Sequence, residues 1–266
     1  MENELAGKIQ TVLGPIEPGN LGITLTHEHL LVDLTVAHGP PISASDIGFY
    51  REPVSQETLG RIRYYGAQNE DNAQLFDVST AIDEVNSYKE HGGTTLVDAT
   101  SVGIARDPLG LFRISNATGV NVIMGASYYV ADAHPSDMDR LTEDDIVDHI
   151  VRDITEGADG TGVKSGVIGE IGCSWPLAVN ERKVLRASAR AQRITGAPIL
   201  IHPGREETSP LQIIEVLAEA GADLSRTIMG HLDRTVPDVD ILLDLARRGC
   251  YLEYDLFGWE VSYYPM

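Results

Sequence analysis

The sequence predicts a parallel α/β fold, a TIM-type (β/α)8 barrel in which seven of the eight strands are legible. Two observations point to it. From residue 94 onward, apolar strand-like runs take turns with helical segments, and the runs do not alternate in polarity. That is the pattern of strands covered on both faces by crossover helices, as in a parallel sheet. Several runs also end in a polar, chemically capable side chain. An open doubly wound sheet could hold seven strands, but in a barrel the C-terminal strand ends converge on one mouth, where such side chains meet. A length of 266 residues fits one large α/β domain as easily as two smaller ones. The barrel makes residues 1–266 a single domain.

Residues 1–21 read as a lead-in, turned by the Gly and Pro of GPIEPGNLG. The first strand is GITLTHEHLL, residues 22–31, where Ile23, Thr24, Leu25 and Thr26 favour an extended backbone and Gly22 marks the entrance. Residues 33–76 carry Pro40, Pro41 and Pro53 and are too long for an ordinary connection. They read as an elaborated loop with a short helix near 56–65. A helix over 77–91 puts Ala81, Ile82, Val85 and Tyr88 on one face and ends at Gly92 and Gly93. Strand two, 94–100, leads to a helix over 109–118, and strand three, 120–129, to a helix over 143–156. Strand four, 162–172, precedes a helix over 181–195 with Asn180 as cap and Gly196 as terminator. Strand five, 197–204, is followed by a helix that starts at Ser209 and Pro210 and stops at Gly221. Strand six, 226–233, a helix over 238–248 and strand seven, 250–258, complete the series.

Composition excludes several function classes. Forty acidic against 20 basic residues give a formal charge of −20. Such a surface repels phosphate backbones and anionic membranes, so neither nucleic acid nor a membrane is an expected partner. No apolar run approaches the ~18 residues of a membrane span. Two cysteines, Cys173 and Cys250, make no disulfide framework, and MENELAGKIQ lacks a basic stretch followed by an apolar one. A cytoplasmic location and a small-molecule substrate are therefore expected.

The chemistry gathers at strand ends. His27 and His29, two apart in a strand, point to the same side, where two neutral imidazoles can grip one metal ion. Alone, such a pair is more often two hydrogen-bonded histidines. Glu170 ends strand four, His202 strand five and His231 strand six, and each singly reads as a buried group satisfied by backbone. Five residues at the same relative place in their βα units instead surround a pair of metal ions.

The strings GITLTHEHL, GVIGEIGCSW, LIHPGR and MGHLDRT resemble the phosphotriesterase family of the amidohydrolase superfamily, above all its phosphotriesterase-related branch. The resemblance runs from about residue 9 to the C-terminus. It implies a β/α barrel with a binuclear zinc-type centre of two divalent metal ions. By it, His27 and His29 hold the more buried metal, and His202 and His231 the more exposed one. Glu170 bridges as a plain carboxylate, because the matching strand reads GEIG where phosphotriesterase itself has a carbamylated lysine; Lys164, six residues earlier, does not match. The implied activity is metal-dependent hydrolysis of a carboxylic ester, lactone, amide or phosphotriester, with Glu170 and His231 as catalytic members. Two cations make hydroxide available near neutral pH, and one polarises the carbonyl or phosphoryl oxygen under attack.

Arg205 and Tyr128 are the candidates for substrate binding. Arg205 and Arg234 can hold an anionic group or pair with surface carboxylates; Tyr128, Tyr129 and Trp175 can wall a pocket or pack loops. His38, His91, His134 and His149 read as structural, His91 suiting a helix C-terminus.

In one place the chain departs from the family pattern. The family's last ligand is an Asp at the end of strand eight, and no residue here matches it. Asp233 and Asp255 are acidic groups in the neighbourhood, and each reads as a partner of a ligand or as a loop carboxylate. A C-terminally truncated chain is the favoured expectation. The alternatives are a second copy closing the gap as a homodimer, or a degenerate product, since strands one and seven would otherwise keep unpaired edges. A rival of a different class is a noncatalytic metal-binding protein that keeps the histidines without turnover.

Overall fold

The seven strands of the main sheet pair in the order in which they leave the chain, and each of their pairings is parallel. In the computed structural model, which describes residues 6–37, 43–65 and 68–257, they are β1 (Ile23–Glu28), β2 (Gly93–Asp98), β3 (Asn121–Ala126), β4 (Val167–Gly172), β5 (Ile199–His202), β6 (Thr227–Met229) and β7 (Tyr251–Leu252). The connections from β1 to β7 carry α1 (Val78–Glu90), α2 (Pro108–Thr118), α3 (Glu143–Thr155), α4 (Val179–Thr195), α5 (Ser209–Glu219) and α6 (Val239–Arg248). A parallel neighbour needs a crossover, and the helices supply it. The sheet curls far enough that His27, on β1, lies 3.3 Å from Glu253, just past β7. Among the described residues no strand pairs β7 with β1; Ile23, Leu25 and Tyr251 are exposed along those two edges.

Two apolar layers hold the sheet. Ile168, Ile171, Ile199 and Ile201 face outward, into a core shared with Val184, Leu185, Ile213 and Leu217 of α4 and α5. Ile123, Val167 and Leu200 face the other way, into the barrel interior, with Val97 and Ile228. At roughly 1.5–3 kcal/mol per fully buried aliphatic side chain, these layers outweigh any single polar contact in setting the fold.

Several local expectations change. The lead-in is not turns alone: Ile9–Thr11 and Gly14–Ile16 form an antiparallel hairpin whose Val12 is buried and donates its N–H to Val122 O (2.9 Å). The long connection after β1 has two helices, Ala44–Arg51 and Leu59–Tyr65, and its ends are tied by antiparallel Val32–Asp33 and Gln74–Leu75. Strand four begins at Val167 rather than 162, and strand six stops at Met229 rather than 233. Asn180 is not the cap of α4. The cap is Ala178, whose N–H is taken by Glu181 Oε2 (2.9 Å), while Asn180 donates to Asp139 Oδ1 (2.7 Å). Buried Glu181 also accepts from Ala131 N (2.9 Å) and from Ser174 N (3.0 Å), tying the loops after β3 and β4 together at the mouth. Among the described residues no helix is long and apolar enough to cross a membrane. His38 lies outside the described residues.

Candidate active site at the strand ends

A break in strand parity delivers Glu170 to the interior. Val167 faces inward and Ile168 outward, so strict alternation would turn residue 170 outward with Ile168. The β4–β5 register instead matches Ile168 to Ile199 but Ile171 to Ile201, which inserts one extra residue in β4. A bulge of this kind re-aims the side chains beyond it, and Glu170 ends up buried on the inner side. On β5, His202 lies two beyond inward-facing Leu200 and needs no such device. His231 follows Gly230, where a Cβ would come within 2.8 Å of Ile201 O and 3.3 Å of His27 Nδ1, so only glycine lets the strands converge this closely. His231 itself adopts a left-handed backbone, φ +55. Its N–H donates to Asp255 Oδ2 (2.9 Å), and the next N–H, of Leu232, donates to Glu253 O (3.1 Å), which holds the unfavourable conformation.

The five side chains named from the sequence meet. Glu170 Oε2 lies 3.0 Å from His27 Nε2, 2.8 Å from His202 Nδ1 and 3.6 Å from His231 Nε2, and Oε1 lies 3.2 Å from His29 Nε2. One carboxylate thus faces four imidazole nitrogens. His27, Glu170 and His231 present ligand atoms within 4.8 Å of one another, and so do His27, Glu253 and Asp255 on the other side of the His27 ring.

The outer nitrogens decide what the inner ones offer. The Thr100 hydroxyl donates its one proton to Leu31 O (3.2 Å), so it accepts from His29 Nδ1 (2.9 Å) and leaves Nε2 with its lone pair inward. Asp255 Oδ1 takes the Nδ1 proton of His231 (2.8 Å), with the same result. His27 Nδ1 faces Glu253 (3.3 Å) and Asp255 (3.4 Å). His202 is the exception, because its Nε2 faces the Arg234 guanidinium (3.1 Å), which can only donate.

Titration follows from this crowding. Burial by itself lowers the His27 pKa, but the Glu170 carboxylate, with Glu253 behind, carries it well above 6.5. Burial would raise Glu170, yet the imidazoles of His202 and His27 beside it, and the hydrogen bond from His202, hold it well below 4.5. His202 is pulled down to about 3 by burial, reinforced by His231 and Arg234 against the opposing pull of Glu170. Asp255 stays below the usual carboxylate range because its bond to His231 outweighs its burial.

The two substrate-binding candidates do not join the cluster. Tyr128 is buried with its ring edge-on to His149, and its hydroxyl bonds His149 Nδ1. Burial and the Asp153 charge push its pKa up to about 12. The next residue, Tyr129, takes the place instead, ring edge-on to His202 with centroids 5.1 Å apart. Arg205 is exposed beyond β5, and Arg234 is the arginine that reaches a histidine of the cluster. Glu253 and Thr100 were not singled out from the sequence. The one available signal was that each lies just past the C-terminal end of a strand, as His29 and His231 do.

A curled parallel sheet with a polar cluster at its C-terminal rim defines a barrel of the kind that carries its site at that mouth. Comparison with known proteins narrows the class. The model of the phosphotriesterase family matches residues 7–266. The N-acetyltaurine hydrolase of Homo sapiens is 46% identical over 265 residues, 99% of this chain and 76% of that protein. A resiniferatoxin-binding protein from Rhodobacter sphaeroides superposes with a TM-score of 0.91 at 41% identity, covering 95% of this chain and 71% of its own. The phosphotriesterase homology protein from Escherichia coli, complexed with phosphate in its active site, superposes with a TM-score of 0.74 at 26% identity, covering 92% and 73%. The chain belongs to the phosphotriesterase family.

Proposed function

We propose that the protein hydrolyses amide or carboxylic ester bonds with two divalent metal ions, zinc foremost, held by His27 and His29, by His202 and His231, and bridged by Glu170. The observation that carries this reading is the single buried carboxylate surrounded by four imidazole nitrogens, two of which, on His29 and His231, are left as lone pairs by their outer partners. Imidazole nitrogen and carboxylate oxygen are the donors that zinc prefers. Glu253 Oε1 is buried without a hydrogen-bond partner next to His27, which also suits a cation-rich site. Bound cations of this kind supply an ionised water near neutral pH and draw electron density from a carbonyl oxygen.

The chain's own groups do the rest. Glu170 sets the spacing between the two histidine pairs, Thr100 and Asp255 fix the tautomers of His29 and His231, and Glu253 holds His27 by its outer nitrogen. Tyr129 and the loops tied by Glu181 narrow the mouth beside His202. The likeness to N-acetyltaurine hydrolases favours an N-acyl amine, with N-acetyltaurine the first substrate to try; lactones and phosphotriesters rank behind it. The test is metal analysis of purified protein combined with hydrolysis of an amide, ester, lactone and phosphotriester panel before and after chelation. Turnover of an amide or ester that is lost on chelation and restored by zinc is expected. Two equivalents of bound metal with no turnover of any member would replace this reading with a metal-binding barrel, and turnover indifferent to chelators would end it.

A further inference from the structure

Arg234 sits on a tightly held turn. The one-turn helix Leu232–Thr235 is pinned to the segment after β7, since Asp233 Oδ2 accepts from Leu256 N (2.7 Å) and Leu232 N donates to Glu253 O (3.1 Å). From it the guanidinium reaches His202, with Nη2 3.1 Å from Nε2. Every other histidine of the cluster turns its outer nitrogen to an oxygen acceptor: Thr100 for His29, Glu253 and Asp255 for His27, Asp255 for His231. His202 alone turns it to a donor.

That difference couples two sites. A guanidinium cannot accept, so the contact is favourable only while His202 Nε2 is bare and its single proton sits on Nδ1, donated to Glu170 Oε2 at 2.8 Å. When His202 offers the Nδ1 lone pair to a cation, the same proton must sit on Nε2. There it points at an Arg234 N–H, and two donors oppose each other. Arg234 then has to leave His202 and find another acceptor beside the reacting centre. A planar fork of donors suits a carboxylate or sulfonate.

We infer that Arg234 is a specificity-determining residue that binds an anionic group of the substrate and is released for that task when His202 takes up metal. The inference rests on the hydrolase reading above and names its substrate class: N-acylated amines with a short anionic tail.

The test uses a matched pair, N-acetyl-β-alanine and its uncharged carboxamide, with zinc-loaded wild type, Arg234→Met and Arg234→Lys. Arg234→Met should lower the ratio of kcat/KM for the anion to that for the carboxamide by about 10- to 100-fold, mainly through KM, and Arg234→Lys should restore part of it. Equal losses on both substrates would overturn the inference. Competition against a chelator supplies a readout without turnover. Arg234→Met should retain zinc more tightly, because no guanidinium has to be displaced, whereas a residue that merely props His202 would lose zinc when removed. If wild type hydrolyses neither compound, the amide, ester, lactone and phosphotriester panel decides the hydrolase reading separately. Calorimetry with N-acetyl-β-alanine then decides about Arg234: binding that needs both zinc and Arg234 supports the inference, and binding that is absent or indifferent to either sinks it.

Discussion

At the mouth of the barrel Glu170 faces four imidazoles, while on the flank, between β3 and α3, Asp153 faces Arg106 at 2.7 Å and His149 at 3.6 Å. Both clusters are buried, and both are built from histidine and carboxylate. On the flank, Arg106 also donates to Gly125 O (3.2 Å) and to Asp159 (3.1 Å), and His149 takes the Tyr128 hydroxyl; Arg106 Nε is left without a partner, but every carboxylate there faces a donor. At the mouth, His27 and His202 donate to Glu170, but two further imidazoles bring lone pairs instead. The lone pairs of His29 and His231 converge on an ionised carboxylate, and Glu253 Oε1 has no partner. A closed set of pairs stabilises a fold, whereas converging lone pairs make a place for cations. The same residue types thus give a brace in one region and a binding site in the other.

Substitutions should separate the two. The largest effect belongs to Glu170→Ala or His202→Ala, each expected to bring hydrolysis by metal-loaded protein to background; Arg106→Met should keep kcat per folded molecule within a few-fold. On the flank the loss should appear as stability. Asp153→Ala leaves the buried Arg106 guanidinium with only the half-exposed Asp159 as carboxylate partner, and should lower the unfolding free energy by about 3 kcal/mol, the low end for a broken buried pair, in urea titrations without changing metal content. Asp153→Ala that left stability untouched would erase the contrast.

A subtler pair of changes acts on the outer partners. Thr100→Val removes the acceptor that fixes the His29 tautomer and should weaken metal retention by about 10- to 100-fold in chelator competition. Asp255→Asn should do the same through His231.

The smallest effect is the pH dependence of stability in metal-stripped protein. The raised pKa of His27 contributes stability that is complete below 6.5 and is lost as pH rises through the folded value. His202, lowered to about 3, works in the opposite sense: between 6.5 and 3 the unfolded chain takes up a proton that the folded one refuses, so acid destabilises. Glu170 adds to this below 4.5, its contribution fading as pH falls towards its lowered value. Stability of stripped protein should peak near pH 6.5, and His27→Gln should flatten the alkaline side. Thermal melts across pH 4–9 would check it; a plateau through pH 8 in the wild type would contradict the His27–Glu170 pairing.

How much of this was legible in the chain follows from the range of each interaction. Periodicity is local, so the apolar runs ending at His202 or Gly172 could be read as strands without knowing their neighbours. Because barrel strands end at one rim, the residues closing those runs could also be grouped, and His27, His29, Glu170, His202 and His231 do meet. Parity past a strand end is not local. Counting by twos sends Glu170 outward, and only the β4–β5 register corrects it; the same count cannot tell whether Tyr128 or Tyr129 faces His202. Glu181 rather than Asn180 closes the start of α4 because its carboxylate also serves two loops distant in sequence.

The order of apolar runs and the polar residue closing each one were properties of the amino-acid string, since hydrophobic burial and backbone pleat act over a few residues. Which nitrogen of each histidine looks inward was decided by groups up to 228 positions away, Asp255 against His27 being the farthest. Hydrogen-bond direction depends on where donor and acceptor stand in space, and only the curled sheet sets that.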